Sequence, residues 1–184
     1  MEKRVITPPL TEEIIEELRS GDNVFITGEL FTARDAAHKK LIELLEKGEE
    51  WPVDLKGQII YYVGPTPAKP GQATGSAGPT TSSRMDSYTP MMLKCGVKTF
   101  IGKGARNEET KRALQKYKGV YLAATGGAGA LLAKTIKEVE IIAYPELGPE
   151  AIRRLVVENF PATVVNDIYG NDLYEEGRKK YAVE

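Results

Sequence analysis

Several cations in this sequence stand beside glycine, proline or an expected helix start, a combination that suits the binding of an anion. Gly64 to Ser83 is dense in Gly, Pro, Thr and Ser and lacks apolar periodicity, and Arg84 closes it. Loops this long inside a compact domain are uncommon and are usually functional or disordered. Here a β-rich run, Gln58 to Val63, leads in, and a helix-like run, Met85 to Lys94, leads out. Strand, glycine-rich loop and helix start together collect backbone N–H groups around an anion. The stretch is therefore read as a substrate-binding loop and not as a floppy connection. Arg34 and His38, four positions apart, share a face in the first turn of another expected helix. On spacing alone Arg34 suits a solvated surface position as well as an anion grip, and His38 suits a hydrogen-bonded structural role better than catalysis. Lys103 lies between Gly102 and Gly104 after a strand, but the Walker spacing is absent. A second glycine turn, Gly126 to Ala130, suits an anion or tight helix–strand packing equally.

A planar guanidinium grips a carboxylate with two bonds, whereas an ammonium acts as a point charge. Arg34, Arg84 and Lys103, with Arg106 as a further candidate, would together suit a small di-anion. Groups for the reaction itself are scarce. Thr80, Thr81, Ser82 and Ser83 are hydroxyls without an activating base nearby in sequence, and no nucleophile elbow appears. The residues describe an anion-binding domain that needs a second polypeptide for part of its chemistry. A non-catalytic anion-binding or regulatory domain is the alternative.

The elements that must position these groups follow from periodicity and punctuation. Val5 to Leu10 suits a short strand closed by Pro8-Pro9, and Thr11 starts a helix that Gly21 ends. Asn23 to Leu30 is a strand, and Thr32 is expected to cap the next helix, which Gly48 stops. Glu49 to Lys56 is a surface connection with Trp51 as a partly buried anchor. Arg84 to Lys94 is helical with Met85, Tyr88, Met91 and Met92 on its buried side, and Pro90 either kinks it or delays its start. Val97 to Ile101 is a strand, and Asn107 opens a helix reaching Tyr117. Gly119 to Ala124 is a strand, Leu131 to Lys137 a helix, and Val139 to Tyr144 and Ala162 to Asn166 are strands; in Ala151 to Asn159, Arg153-Arg154 suits a helix but Leu155-Val156-Val157 favours the strand adopted here. A polar helix follows Gly170-Asn171-Asp172. Strands and helices alternate in the middle and strands dominate near the end, which predicts a layered α/β domain.

Composition sets outer bounds. The 25 Lys and Arg nearly cancel the 26 Asp and Glu and are scattered, so nothing points to nucleic acid or a membrane surface. The N-terminus lacks the apolar core of a signal peptide and no run approaches bilayer length, so a cytoplasmic protein is expected. Cys95 is the one cysteine and His38 the one histidine, which leaves no internal disulfide and no thiolate or histidine set for a metal within this chain. A single domain over residues 1–184 is expected.

GPTPAKPGQATGSAGPTTSSRMDSY, preceded by TARDAAHKK and followed by IGKGAR, ATGGAGALLAKTI and FPATVVNDIYGNDLY, resembles the beta subunit of class I (iron–sulfur) fumarate hydratase. L(+)-tartrate dehydratase beta subunits are similar. The resemblance covers nearly the whole chain. It implies a swivelling β/β/α domain, with a mixed sheet and flanking helices, that packs against an alpha subunit in a heterotetramer, or against an equivalent N-terminal domain. It also implies a [4Fe–4S] cluster held by three cysteines of that partner, with one iron open to substrate, and Cys95 as a packing residue here. Carried over by motif, Arg34, Arg84 and Lys103 would hold the carboxylates of a small dicarboxylate, and Thr80 would take part in proton transfer with an aspartate of the alpha side. Asp86 and Tyr88 would support the loop. The implied reaction adds water to fumarate to give (S)-malate, with tartrate or another hydroxy-diacid as the alternative substrate.

Overall fold

The computed structural model describes residues 4–182; the first three residues of the N-terminal stretch read above lie outside it. The chain runs β1 (Arg4–Ile6), α1 (Glu12–Glu17), β2 (Asn23–Thr32), α2 (Asp35–Glu46) and β3 (Ile59–Tyr61). After the long loop come α3 (Thr89–Lys94), β4 (Thr99–Gly102), α4 (Glu108–Lys116), β5 (Val120–Ala123) and α5 (Gly129–Ala133). It ends with β6 (Ile136–Ala143), β7 (Ile152–Asn166) and α6 (Leu173–Tyr181). The seven strands form one mixed sheet in the order β1-β2-β3-β4-β5-β7-β6. Strands β1 to β5 are parallel, and β7 runs antiparallel to β2, β5 and β6. Because β7 pairs with both β5 and β2, the pairings close a ring through β2, β3, β4, β5 and β7.

The expected layers follow from strand alternation, since successive side chains point to opposite faces. Ile59, Tyr61, Ile101, Val120 and Leu122 enter one core with Ile26, Leu155, Phe160 and Val164 from β2 and β7. Ile60, Tyr62, Phe100 and Tyr121 enter the other, against Ala37 and Leu41 of α2, Met92 and Leu93 of α3, and Ala113 and Leu114 of α4. Strands covered on both faces read as nearly continuous apolar runs, which is why IIYYV and VYLA were recognisable.

Five expectations change. Thr32 does not cap α2; it ends β2, donates its hydroxyl to Ala151 O and accepts the Arg153 N–H. The N-cap position of α2 is Arg34, which makes no side-chain cap bond. Pro90 delays the helix: Ser82–Met85 is a 3-10 turn, and α3 begins only at Thr89, which leaves Met91 40% exposed and not on the buried side. The two expected C-terminal strands are one, β7, which runs through Pro161 past Asn159 at φ 53°. Residues 136 and 137 belong to β6 and not to the preceding helix. α1 ends at Glu17, with Leu18 as its C-cap, before Gly21, whereas Gly48 stands just beyond α2 at φ 73°, as expected of a helix stop.

Candidate functional site

In α/β sheets, ligands bind outside the carboxyl ends of parallel strands, and the motif residues gather at that edge. The long loop leaves β3 there and is pinned on its return. Thr66 and Gly75 bond across it, the Tyr61 hydroxyl donates to Ala77 O at 2.6 Å, and the Ala77 N–H donates to Gly129 O. Gly129 has a packing role: a Cβ there would lie 2.4 Å from Ser76 Oγ and 2.9 Å from Gly78 N. This gives the second glycine turn a structural task, seating the loop on α5. The loop then joins the sheet. The Thr80 N–H donates to Tyr62 O, the Lys103 N–H to Thr80 O, and the Ser82 N–H to Lys103 O. Thr80 and Lys103, 23 positions apart in sequence, thus become backbone neighbours at the end of β4.

Arg84 follows on the 3-10 turn and forks onto Asp35: Nε to Oδ1 at 3.0 Å and Nη2 to Oδ2 at 2.8 Å. Asp35 is the residue after Arg34, so this pair draws the loop cation to the start of α2. Arg34 itself lies against Gly64, where a Cβ would stand 2.6 Å from its Nη1. Its Nη2 is 3.5 Å from Glu150 Oε1, and its Nε is buried without a partner. The structure therefore brings Arg34, Thr80, Arg84 and Lys103 to one edge. Among the described residues the Thr80 hydroxyl has no hydrogen-bond partner and the exposed Lys103 ammonium no carboxylate.

Arg106 is the candidate cation that the structure removes. It is buried, donates to Asp86 Oδ1 at 2.6 Å and to Thr89 Oγ1 at 2.6 Å, and lies over the rings of Tyr62 and Tyr121. Burial opposes its charge, but Tyr62 and the Asp86 carboxylate outweigh that and keep its pKa above the ordinary value. The other Asp86 oxygen accepts the Asn107 N–H, so Asp86 supports the loop, as expected. Ser82 is buried as well, sharing a 2.9 Å hydrogen bond with the Tyr121 hydroxyl, which donates to Gly104 O. These anchors fix the turn that carries Arg84.

His38 is fully buried, edge-on to Tyr62 and stacked on Tyr88. Its Nδ1 is 2.8 Å from Arg34 O, so Nδ1 carries the proton and donates, and Nε2 is left buried without a partner. Burial lowers its pKa to about 4, so it is a neutral structural ring at ordinary pH. Asp35 and Glu150 were not assigned to the site from sequence. Asp35 stood in a motif already noticed, but Glu150 lies 114 positions after Ala36 and carries no local signal.

The family described as Fumarase C-terminus matches residues 2–177. The chain belongs to this family. It is 42% identical over 177 residues to the putative L(+)-tartrate dehydratase subunit beta of Methanocaldococcus jannaschii, covering 93% of this chain and 91% of that protein. It is 44% identical over 158 residues to fumarate hydratase 2 of Leishmania major, covering 85% of this chain and 28% of that protein. The putative class I fumarate hydratase of Geobacillus stearothermophilus is 44% identical over 185 residues, covering 97% of this chain and 35% of that protein. The chain therefore spans roughly a third of those fumarate hydratases but nearly all of the archaeal subunit.

This fumarase C-terminal domain does not offer the donor set of an iron–sulfur cluster. Its single thiol, Cys95, is half-buried at the end of α3 and precedes β4, at the sheet edge opposite Lys103. Burial pushes the thiol pKa up, with Lys94 opposing, which disfavours the thiolate that binds metal. Among the described residues no three His, Cys, Asp or Glu side chains converge as metal ligands, and no helix is long and apolar enough to cross a membrane.

Proposed function

We propose that this chain is the beta subunit of a cytoplasmic hydro-lyase that interconverts fumarate and (S)-malate, working with an alpha subunit that carries a [4Fe–4S] cluster. The observation that supports this reading is the gathering of Arg34, Thr80, Arg84 and Lys103, from three separate motifs, at one sheet edge of a fumarase C-terminal domain. In it, Arg34, Arg84 and Lys103 hold the substrate carboxylates. Removing a proton from the carbon beside a carboxylate drives negative charge into that carboxylate, and the reverse addition starts from the same charged state. Fixed cations stabilise this charge more in the transition state than in the ground state. The Thr80 hydroxyl passes the proton. Because it has no base among the described residues, the partner supplies one. Substrate enters while the two subunits are apart and is enclosed as they close.

The coverage of the archaeal tartrate dehydratase subunit favours a second reading, in which the substrate is L-tartrate or another hydroxy-diacid. Both readings need the same clamp. The expected result is that the isolated chain shows no hydratase activity, whereas the chain combined anaerobically with its alpha partner converts fumarate to malate and loses that activity in oxygen. Full turnover by the isolated chain in chelator would refute the division of labour. Comparing kcat/KM for fumarate, mesaconate and L-tartrate on the reconstituted complex decides the substrate.

A further inference from the structure

Arg34 is already in contact with a carboxylate, and that carboxylate comes from a distant part of the chain. Glu150 Oε2 accepts the Ala36 N–H at 2.8 Å, while Oε1 lies 3.5 Å from Arg34 Nη2. A first-turn helix N–H and the end of a guanidinium are the donors that a free carboxylate takes at a helix N-terminus. No side chain of the N-cap residue competes for them. The contact to Arg34 is longer than the roughly 2.7–2.9 Å of a tight charge-assisted bond, and both side chains keep some exposure, at 21% and 25%. Arg34 also has the buried, unpartnered Nε to offer.

The segment carrying Glu150, Pro145–Glu150, is anchored without it. Lys40 pairs with Glu146 at 2.8 Å, and Arg153 donates to Gly148 O and Pro149 O. Glu150 can leave Arg34 while its backbone stays in place. Asp35 is a different kind of neighbour. It takes the Nε and Nη2 edge of Arg84 and leaves the end of that guanidinium open, so it orients Arg84 without occupying its binding end.

We infer that Glu150 is an internal stand-in for one substrate carboxylate, holding Arg34 and the α2 N-terminus until a diacid displaces it. The inference rests on the reading above that Arg34 grips a carboxylate. Its consequence is selectivity. A ligand must outcompete a carboxylate already in place, and the apparent dissociation constant rises by the inverse of the fraction of molecules in which Glu150 has left. A monoacid has one grip with which to compete, whereas a diacid gains a second at Arg84 and Lys103.

The test uses the full chain, labelled with 15N, and succinate as an unreactive diacid probe. Succinate should shift the Ala36 amide in the native chain, and Glu150→Gln should bind succinate about 3- to 10-fold more tightly. Glu146→Gln removes the same charge from the same segment, but from Lys40 and not from Arg34. It should leave the succinate affinity within twofold. Equal or weaker binding by a folded Glu150→Gln, or the same gain in Glu146→Gln, overturns the inference, as does failure of succinate to bind either protein. If Glu150→Gln does not fold, Glu150→Asp, one methylene shorter, should show the same tightening, and its absence there counts equally against the inference. Tighter succinate binding by Glu150→Gln alongside a reconstituted complex that hydrates no diacid would retain the exchange and reject the hydro-lyase reading.

Discussion

The segment RMDSY makes two ion pairs from residues two positions apart, and they differ in almost every physical respect. Asp86 faces inward and meets Arg106 with side-chain exposures of 6% and 0%. Arg84 faces outward and meets Asp35 with exposures of 47% and 33%. A charge taken out of water has to be matched and hydrogen-bonded there, and Asp86 and Arg106 reach Thr89, Tyr62 and the Asn107 N–H besides each other. An exposed pair contributes only about 0–1 kcal/mol to stability, so the fork between Arg84 and Asp35 is available for work other than folding. The 3-10 turn thus has one side fixed to the core and one side held ready at the sheet edge.

Breaking the inner side should have the largest effect. Asp86→Ala leaves the Arg106 charge buried without its partner and should destabilise the chain by roughly 3–5 kcal/mol. Since small domains hold only about 5–15 kcal/mol in total, thermal or denaturant unfolding would show this plainly. A loss similar to that of an exposed variant would mean that the two pairs are not different in kind.

His38 sharpens the same contrast, because it is a buried titratable ring that hydrogen-bonds Arg34 O. Its pKa in the folded chain is about 4, against 6.5 for the ordinary group. Between those values the unfolded chain binds more protons than the folded one, so stability is complete above about pH 6.5 and is lost as pH falls toward 4. The full window corresponds to roughly 3 kcal/mol. His38→Phe, which keeps a ring between Tyr62 and Tyr88, should flatten the stability profile from pH 6.5 to 4. An unchanged slope would remove His38 as its source.

On the outer side the effect should appear in activity. Arg84→Lys keeps a charge but loses the planar fork that meets Asp35 and, in the proposed clamp, a substrate carboxylate. A fall of about 10- to 100-fold in kcat/KM of the reconstituted complex is expected, equivalent to roughly 1.4–2.8 kcal/mol, with unfolding stability changed by no more than about 1 kcal/mol. An unaltered kcat/KM would show that Arg84 is not a bidentate grip.

The same inward and outward division explains what could be read from the sequence. Strands buried on both faces, such as IIYYV, and helices with an apolar stripe, such as α2, declare themselves through composition and spacing. Local polar chemistry was legible where its partner was local: Thr11 accepts from the Ile14 N–H and Asn107 from the Thr110 N–H, each three residues on. Thr32 carried the same kind of signal and was misread, because its partners, Ala151 and Arg153, are about 120 positions away at the start of β7. Arg106 looked like another loop cation until folding placed Asp86 beside it. The cations themselves could be listed from their places beside loops and expected helix starts, but the carboxylates facing them could not. Glu150 has no spacing relation to Arg34, and only the turn between β6 and β7 brings them together.

Gly64 offers the smallest and most selective perturbation of the outer side. A Cβ at this position would stand 2.6 Å from Arg34 Nη1, the far end of a flexible side chain, and 3.4 Å from Arg34 Cδ and Pro149 O. Arg34 is not part of the buried Asp86 network, so the new methyl can be accommodated by swinging the guanidinium aside. Gly64→Ala should therefore change unfolding stability by less than about 1 kcal/mol while raising KM for the diacid several-fold, because the grip moves and its supports do not. If stability falls with KM, the crowding is met by backbone shifts and the strand-to-loop junction belongs to the fixed side of the site. If KM stays constant in a folded variant, Arg34 does not need its place against Gly64, and the clamp rests on Arg84 and Lys103 alone.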